Sequence, residues 1–381
     1  MKNSKLFIAA FLVMGMIFMG YQCGSTEITS AKLYIQQKNW DKAVEVLQKE
    51  ISKNPKSDEG YYLLGYVYGE KDDFQNMVEA YDKSLEISKT FEKNISDSKK
   101  YFWAQSFNKG VGLYQRGNKA TNQDSAKIFY DKSIDEFNSA ILLEPDSADT
   151  YKNLAFVYLS KGDNDAAIEP LQKLIAKDKS LDGYKFLGEI YYVKGTNLKN
   201  QGNVDDAKVE FNKSIDLLNE ALTIFPNDTD ILLTLSNSYI GADRTTEAIE
   251  PFKKGVEAEP ENKYYRYNYG VLLLGIEDYQ NAETQFLKAV EIDPDYENAI
   301  FNLGVTYVRW GNYLNKKADE EGKVSDEYKT KYQAALPYLE KAVKMPDSNA
   351  QTWEFLGKVY SVLGMQDDAN NAFKKADELR K

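Results

Sequence analysis

The stretch that decides the fold is residues 349–381, NAQTWEFLGKVYSVLGMQDDANNAFKKADELRK. Trp353 is followed at three and four residues by Leu356 and Gly357, then by Tyr360, Gly364, Ala369, Phe373 and Ala376. Such spacings lay one apolar stripe on each of two consecutive helices. The pattern returns upstream as Tyr61, Leu64, Gly65, Tyr68 and Tyr81; as Tyr151, Leu154, Ala155, Tyr158 and Ala167; as Leu235, Tyr239, Ala248, Phe252 and Pro260; and as Gly270, Ala282, Phe286, Ala289 and Pro294. A degenerate copy opens near Thr26, with Tyr34, Ala43, Leu47 and Pro55. Self-similarity at a fixed period is the signature of a repeat architecture.

Each residue choice has a physical reason. Gly65, Gly188, Gly270, Gly304, Gly357 and the alanines fall where the first helix (A) and second helix (B) of a unit must approach closely, and a large side chain there would hold them apart. Gly270 is expected to meet its own helix B near Ala282, whereas Gly322 falls at a solvated tip where substitution should be nearly silent. The joints Asn54-Pro55, Glu144-Pro145, Phe225-Pro226-Asn227-Asp228, Glu259-Pro260 and Asp293-Pro294 stop one helix, and a following Ser, Asp or Asn caps the next. Pro170, Pro251 and Pro337 fall inside B helices. No unit buries its stripe alone, so the units must stack.

This pattern resembles the tetratricopeptide repeat (TPR), a 34-residue helix-turn-helix unit. The resemblance implies an all-α fold, a right-handed superhelical solenoid of about nine units, over residues 26–57, 58–91, 99–147, 148–180, 181–228, 229–262, 263–296, 297–348 and 349–381. Three units are elongated. From Trp103 to Ala140 and from Tyr184 to Ala221 the separation is 37 residues, where the plain unit has 23. The excess of 14 amounts to seven per helix, close to two turns, so each helix lengthens by about 10 Å without rotating its apolar face. Segments 103–181 and 184–262 align without a gap at a spacing of 81, as a duplicated long-plus-short pair. The third long unit carries an excess of 19 and a charged tip around Asp319, Glu320, Glu321 and Lys323.

Composition removes whole classes of chemistry. There is no histidine, and Cys23 is the only cysteine, so imidazole acid-base work and His/Cys zinc sites are excluded. The formal charge is −11 and no basic block could neutralise a run of phosphates, which argues against nucleic acid. Acidic runs such as Asp205-Asp206 fall in first helical turns, where they oppose the helix dipole. The reading is therefore a non-enzyme with no cofactor and no metal site.

Residues 1–25 read as an export signal: Lys2 and Lys5 precede an uncharged run from Leu6 to Met19. Cys23 follows, trailed by Gly24, Ser25 and Thr26, and this resembles the lipobox of bacterial lipoproteins, which implies lipidation at Cys23. Gly20 and Gln22 stand where that motif has an aliphatic and a small residue, so an uncleaved anchor and ordinary cleavage near Ser25 stay open. All three place the body outside the cytoplasm, in the cell envelope, membrane-anchored on the periplasmic or outer side in the first two cases.

The family resemblance also implies that helix A lines a ligand groove. By register the outward positions are Tyr62, Tyr66, Lys152, Asn153, Phe156, Lys185, Phe186, Asn237, Tyr267, Asn268, Phe301, Asn302, Arg309, Phe355 and Lys358. Aromatic rings and amides suit an extended peptide, since rings give area at low entropy cost and amides pair with main-chain groups. The carboxylate clamp of chaperone-binding repeats is not matched: Phe156 stands where it needs Asn, and Asp182 and Phe186 replace its basic pair. The expected function is protein or peptide binding by a scaffold that assists assembly of an envelope complex; the alternative is glycan capture on the aromatic surfaces. If Cys23 is the anchor, labelled fatty acid enters the wild-type chain and not Cys23→Ser; a Ser variant that stays membrane-bound with an unprocessed N-terminus establishes the uncleaved anchor instead.

Overall fold

The computed structural model describes residues 25–380 apart from 227 and 347; the export signal, Cys23 and Asn227 lie outside the described residues. The described residues form 18 helices and no strand. They fall into two compact units divided between Asp178 and Lys179. The first unit holds α1 (Thr26–Gln36), α2 (Trp40–Lys53), α3 (Asp58–Glu70), α4 (Phe74–Ile87), α5 (Glu92–Lys119), α6 (Gln123–Leu143), α7 (Ala148–Lys161) and α8 (Asn164–Asp178). The second holds α9 (Leu181–Asn200), α10 (Val204–Ile224), α11 (Thr229–Gly241), α12 (Thr245–Ala258), α13 (Lys263–Gly275), α14 (Tyr279–Ile292), α15 (Glu297–Glu320), α16 (Glu327–Ala342), α17 (Ala350–Val362) and α18 (Gln366–Leu379). Odd-numbered helices are A and even-numbered are B, and in each unit the hairpins stack in chain order. The fold is an all-α repeat solenoid.

Helix starts follow the expected chemistry. At four of the five Pro joints the cap forms, Ser57, Ser147, Asp228 and Asn262 each accepting from a backbone N–H of the helix they open, as Asn349 also does; at Asp293-Pro294 the cap residue is Tyr296, which makes no side-chain cap bond. A cap of this kind contributes about 1 kcal/mol. In eight of the nine described hairpins, all but α5–α6, the turn contains a left-handed residue: Gly162, Gly202, Gly322 and Gly364 supply it at no steric cost, whereas Lys38, Asp72, Asp243 and Glu277 adopt it with a side chain present.

Six of the nine described hairpins close on one kind of contact. Gly65 faces the Tyr81 ring, Gly270 the Phe286 ring and Gly357 the Phe373 ring, each partner lying sixteen residues on. An added Cβ at Gly270 would sit 2.8 Å from Phe286. The nearest partner is thus the Phe286 ring, one turn beyond Ala282. Gly322 is also corrected: its φ of +64° lies in the left-handed region, so a side chain there is strained although nothing is within 4 Å.

The long hairpins repeat this contact two turns higher. Gly110 faces Phe137 and Gly117 faces Tyr130; Gly188 faces Leu218 and Gly195 faces Phe211; Gly304 faces Leu339 and Gly311 faces Tyr332. Seven residues is nearly two turns, so each second glycine returns to the same face. In α9 and α10, of 20 and 21 residues, the lengthening is seven per helix over plain helices such as α11 and α12, of 13 and 14. Two expectations change. Ser133 Oγ donates to the Gly110 carbonyl at 2.8 Å and Ser214 Oγ to the Gly188 carbonyl at 2.9 Å. The serines obey the spacing of 81 and the glycines do not, so α5 has slid by three residues along α6, about one turn. The third long hairpin lengthens unevenly, with α15 at 24 residues and α16 at 16; the rest of its excess is a loop opening on Glu321 and Gly322.

Between hairpins, a tyrosine of helix A reaches the preceding helix B. Tyr68 accepts from Gln48 at 3.4 Å and Tyr239 from Asn219 at 3.1 Å, while Tyr307 donates to Glu283 at 2.5 Å and Tyr360 to Glu340 at 2.8 Å. Burial, reinforced by the Glu340 carboxylate, pushes the Tyr360 phenol up to about 12.

Three outcomes check this account by denaturation. Gly270→Leu should cost about 1–3 kcal/mol or more by overpacking and give a second thermal transition or proteolysis between Pro260 and Pro294. Gly112→Ala, on a helical glycine with nothing within 4 Å, should be neutral or stabilise by up to about 1 kcal/mol. Glu277→Gly should stabilise and Gly322→Leu destabilise, each by about 1–2 kcal/mol, because only the backbone conformation decides. For pH, the raised Tyr360 pKa contributes stability that is complete below about 10 and is lost as the pH rises through 12; Tyr360→Phe should flatten that alkaline slope and cost about 1 kcal/mol at neutral pH.

Candidate binding surface on the A helices

Within each unit the A helices of successive hairpins touch one another, whereas among the B helices only α4 and α6 do so to a like extent. A stack whose members meet along one row and splay along the other curves toward the row that meets. The A helices are therefore the inner row of each unit, and the sequence-selected residues can be placed on it.

In the first unit Tyr62 and Tyr66 lie on α3 and Lys152, Asn153 and Phe156 on α7, with α5 between the two groups. Tyr62 stacks on Phe91 with centroids 4.6 Å apart and planes 6° from parallel. Tyr66 packs on Phe102 and donates to Glu70 at 2.9 Å. Burial raises both phenols, and for Tyr66 the Glu70 charge adds to it. Both rings are half-buried and pack against the core. On α7 the Lys152 ammonium lies 5.6 Å from the Phe156 ring centre, and Asn153 donates back to the Asp149 carbonyl at 2.8 Å.

In the second unit Lys185 is committed to Asp230 and Asp228, and the hydrogen bond to Asp230 raises its pKa. Phe186 and Asn237 are half-buried. Tyr267 accepts from Asn302 at 3.1 Å and packs its ring on Tyr296 at 5.3 Å and Phe286 at 6.0 Å. Asn268 is 3% exposed; it accepts from Ser236 at 3.2 Å and donates to the Tyr264 carbonyl at 2.9 Å. Its place as a ligand contact is therefore corrected: a buried amide must find partners inside, and here it links α13 to α11. Phe301 and Phe355 meet edge to face at 5.9 Å across α15 and α17. The Lys358 ammonium sits 5.4 Å from the Phe355 ring centre, and both Lys358 and Arg309 are exposed.

The structure thus brings together Tyr267 with Asn302 and Phe301 with Phe355, on consecutive A helices. It also shows contacts that the repeat pattern did not single out. Lys263 lies 5.0 Å from the rings of both Tyr264 and Tyr296 and pairs with Asp293. Tyr296 follows a Pro joint, and a tyrosine among turn residues was the available signal. Lys331 stands 3.2 Å from the Trp310 ring centre. That pair depends on how the excess of the third long hairpin divides between its helices, which spacing alone does not fix. Among the described residues no cluster of His, Cys, Asp and Glu could hold a metal ion, and no helix is long and apolar enough to cross a membrane.

Comparison with known proteins follows the same segments. Models of the tetratricopeptide repeat match residues 30–59, 58–91, 188–228 and 233–297. The chain is 29% identical over 140 residues to the photosystem I assembly protein Ycf3 of Prochlorococcus marinus strain MIT 9301, covering 35% of this chain and 79% of that one. Among solved structures it resembles a thermophilic tetratricopeptide protein of Thermus thermophilus, at 20% identity and a TM-score of 0.35 over 54% of this chain and 98% of that one. It also resembles YrrB, described as a tetratricopeptide protein with an unusual peptide-binding site, at 23% identity and a TM-score of 0.35 over 55% of this chain and 93% of that one. Tetratricopeptide-repeat models thus match segments in both units, and those segments fold as stacked helical hairpins.

Proposed function

We propose that this chain is a non-enzymatic scaffold that holds a protein or peptide against its inner row and assists assembly of a multiprotein complex in the bacterial cell envelope, exported and anchored through Cys23. The observation that carries the reading is the exposed surface of α15 and α17. Phe301 and Phe355, both half-buried, meet edge to face, the exposed Lys358 lies 5.4 Å from the Phe355 ring centre, and Arg309 is exposed on α15. Apolar area flanked by charge suits a protein segment better than a small metabolite. The likeness to Ycf3, named for photosystem assembly, supports an assembly role. The rings of Tyr62, Tyr66 and Tyr267 are half-buried and pack on other rings, which gives glycan capture no support.

A photo-crosslinking residue placed at Arg309 or Lys358 in the native host should yield adducts with a discrete envelope protein. The same residue at Val209, 53% exposed on helix B of another hairpin, should not. Equal adducts from all three positions, or none from the inner row, would refute the reading.

A further inference from the structure

The N-terminal hairpin carries two observations that repeat packing does not require. The first is how the fold begins. Ser25 accepts a hydrogen bond from Ile28 N at 3.1 Å as the cap of α1, its carbonyl accepts from Thr29 N at 3.1 Å, and its hydroxyl donates to Glu50 on α2. Glu50 is 3% exposed. A buried carboxylate is stable only when hydrogen-bonded or paired, so Ser25 is fixed to the body. Ser25 is the second residue after Cys23, and two extended residues span at most about 7 Å.

The second is charge. Residues 26–57 contain Lys32, Lys38, Lys42, Lys49, Lys53 and Lys56 against Glu27, Asp41, Glu45 and Glu50. This hairpin is net positive in a chain of formal charge −11, and each of the other eight, the third counted from the start of α5 over 92–147, is neutral or acidic. Lys49, Lys53 and Lys56 lie at the end of the hairpin where Ser25 enters, because α1 and α2 are antiparallel. Lys49 pairs with Glu45 and Lys53 with Glu27, yet their side chains remain 58% and 70% exposed. Surface pairs of this kind are weak, and Lys56 is exposed as well.

We propose that the first hairpin is a membrane-docking surface for anionic lipid headgroups, pressed to the bilayer because the anchor joins the folded body without a linker. This rests on the reading of Cys23 as the anchor. A long linker would let a solenoid tumble away from the membrane. Here the joint is about 7 Å at most, and basic residues attract anionic headgroups within a Debye length, while the acidic remainder is repelled. The inner row is thereby held at a fixed angle to the membrane at its N-terminal end.

The test uses the full chain, purified with its processed N-terminus and placed in vesicles of phosphatidylethanolamine and phosphatidylglycerol that carry a headgroup quencher. A fluorophore is attached through Ser52→Cys in one sample and through Asn164→Cys, three hairpins on in the same unit, in another. We expect quenching at position 52 to exceed that at 164 by at least twofold. It should fall toward the value at 164 when Lys49→Glu, Lys53→Glu and Lys56→Glu are combined, or when about 20 Gly/Ser residues are inserted before Ser25. Equal quenching at the two positions, or no change on charge reversal and linker insertion, would overturn the proposal. Mass spectrometry of the N-terminal peptide separates the two readings: acylated Cys23 with equal quenching rejects the docking surface alone, whereas unmodified Cys23 with no vesicle binding rejects the anchor and the docking surface together.

Discussion

Six of the nine described hairpins depend on one close approach, a glycine of helix A received by a bulky residue of helix B. At Gly65, Gly270 and Gly357 the space for a Cβ is already occupied by a ring of the same hairpin. That contact fixes the distance and the register of the hairpin, and so fixes which residues of helix A turn toward the neighbouring hairpin and which toward the inner row. A side chain in place of the glycine would move both helices and every contact built on them.

The same constraint explains how hairpins grow without losing their place in the stack. Adding about two turns brings a second glycine, Gly117, Gly195 or Gly311, onto the first one's face, and helix B answers with a second large residue. Because the closing contact repeats with the helix period, the pair can also slide by one turn, as α5 does along α6, and still seat a ring on a glycine. The tolerated changes are steps of whole turns, and the sequence duplication preserves helix B more strictly than helix A.

The inner row divides its polar and aromatic residues between holding the stack and facing outward. Asn268 and Asn302 bridge adjacent A helices, Lys185 is spent on Asp228 and Asp230, and Tyr62 and Tyr66 fill the space beside α5. Of the groove candidates only Arg309 on α15 and Lys358 on α17 are exposed. An amide or a tyrosine at a groove position suits a peptide and suits a neighbouring helix equally well, since both offer main-chain or phenolic partners.

The sequence by itself determined the helical hairpins, the joints and the glycine positions, because these follow from local rules: the 3.6-residue period, the missing proline N–H, the capping side chain and the volume of a Cβ. Residues 349–381 carry the period, the capping Asn349 and the close-approach Gly357 at once. Only the tertiary structure decided that Gly270 meets Phe286, that Gly322 is held at positive φ, that α5 sits one turn out of the duplicated register, and that Asn268 is buried. All but the Gly322 backbone conformation turn on which atoms of a second helix fill a given space. Sequence spacing fixes the face of a helix, but the sliding of one helix along another by a whole turn leaves that face unchanged, so the pattern reads the same in either register.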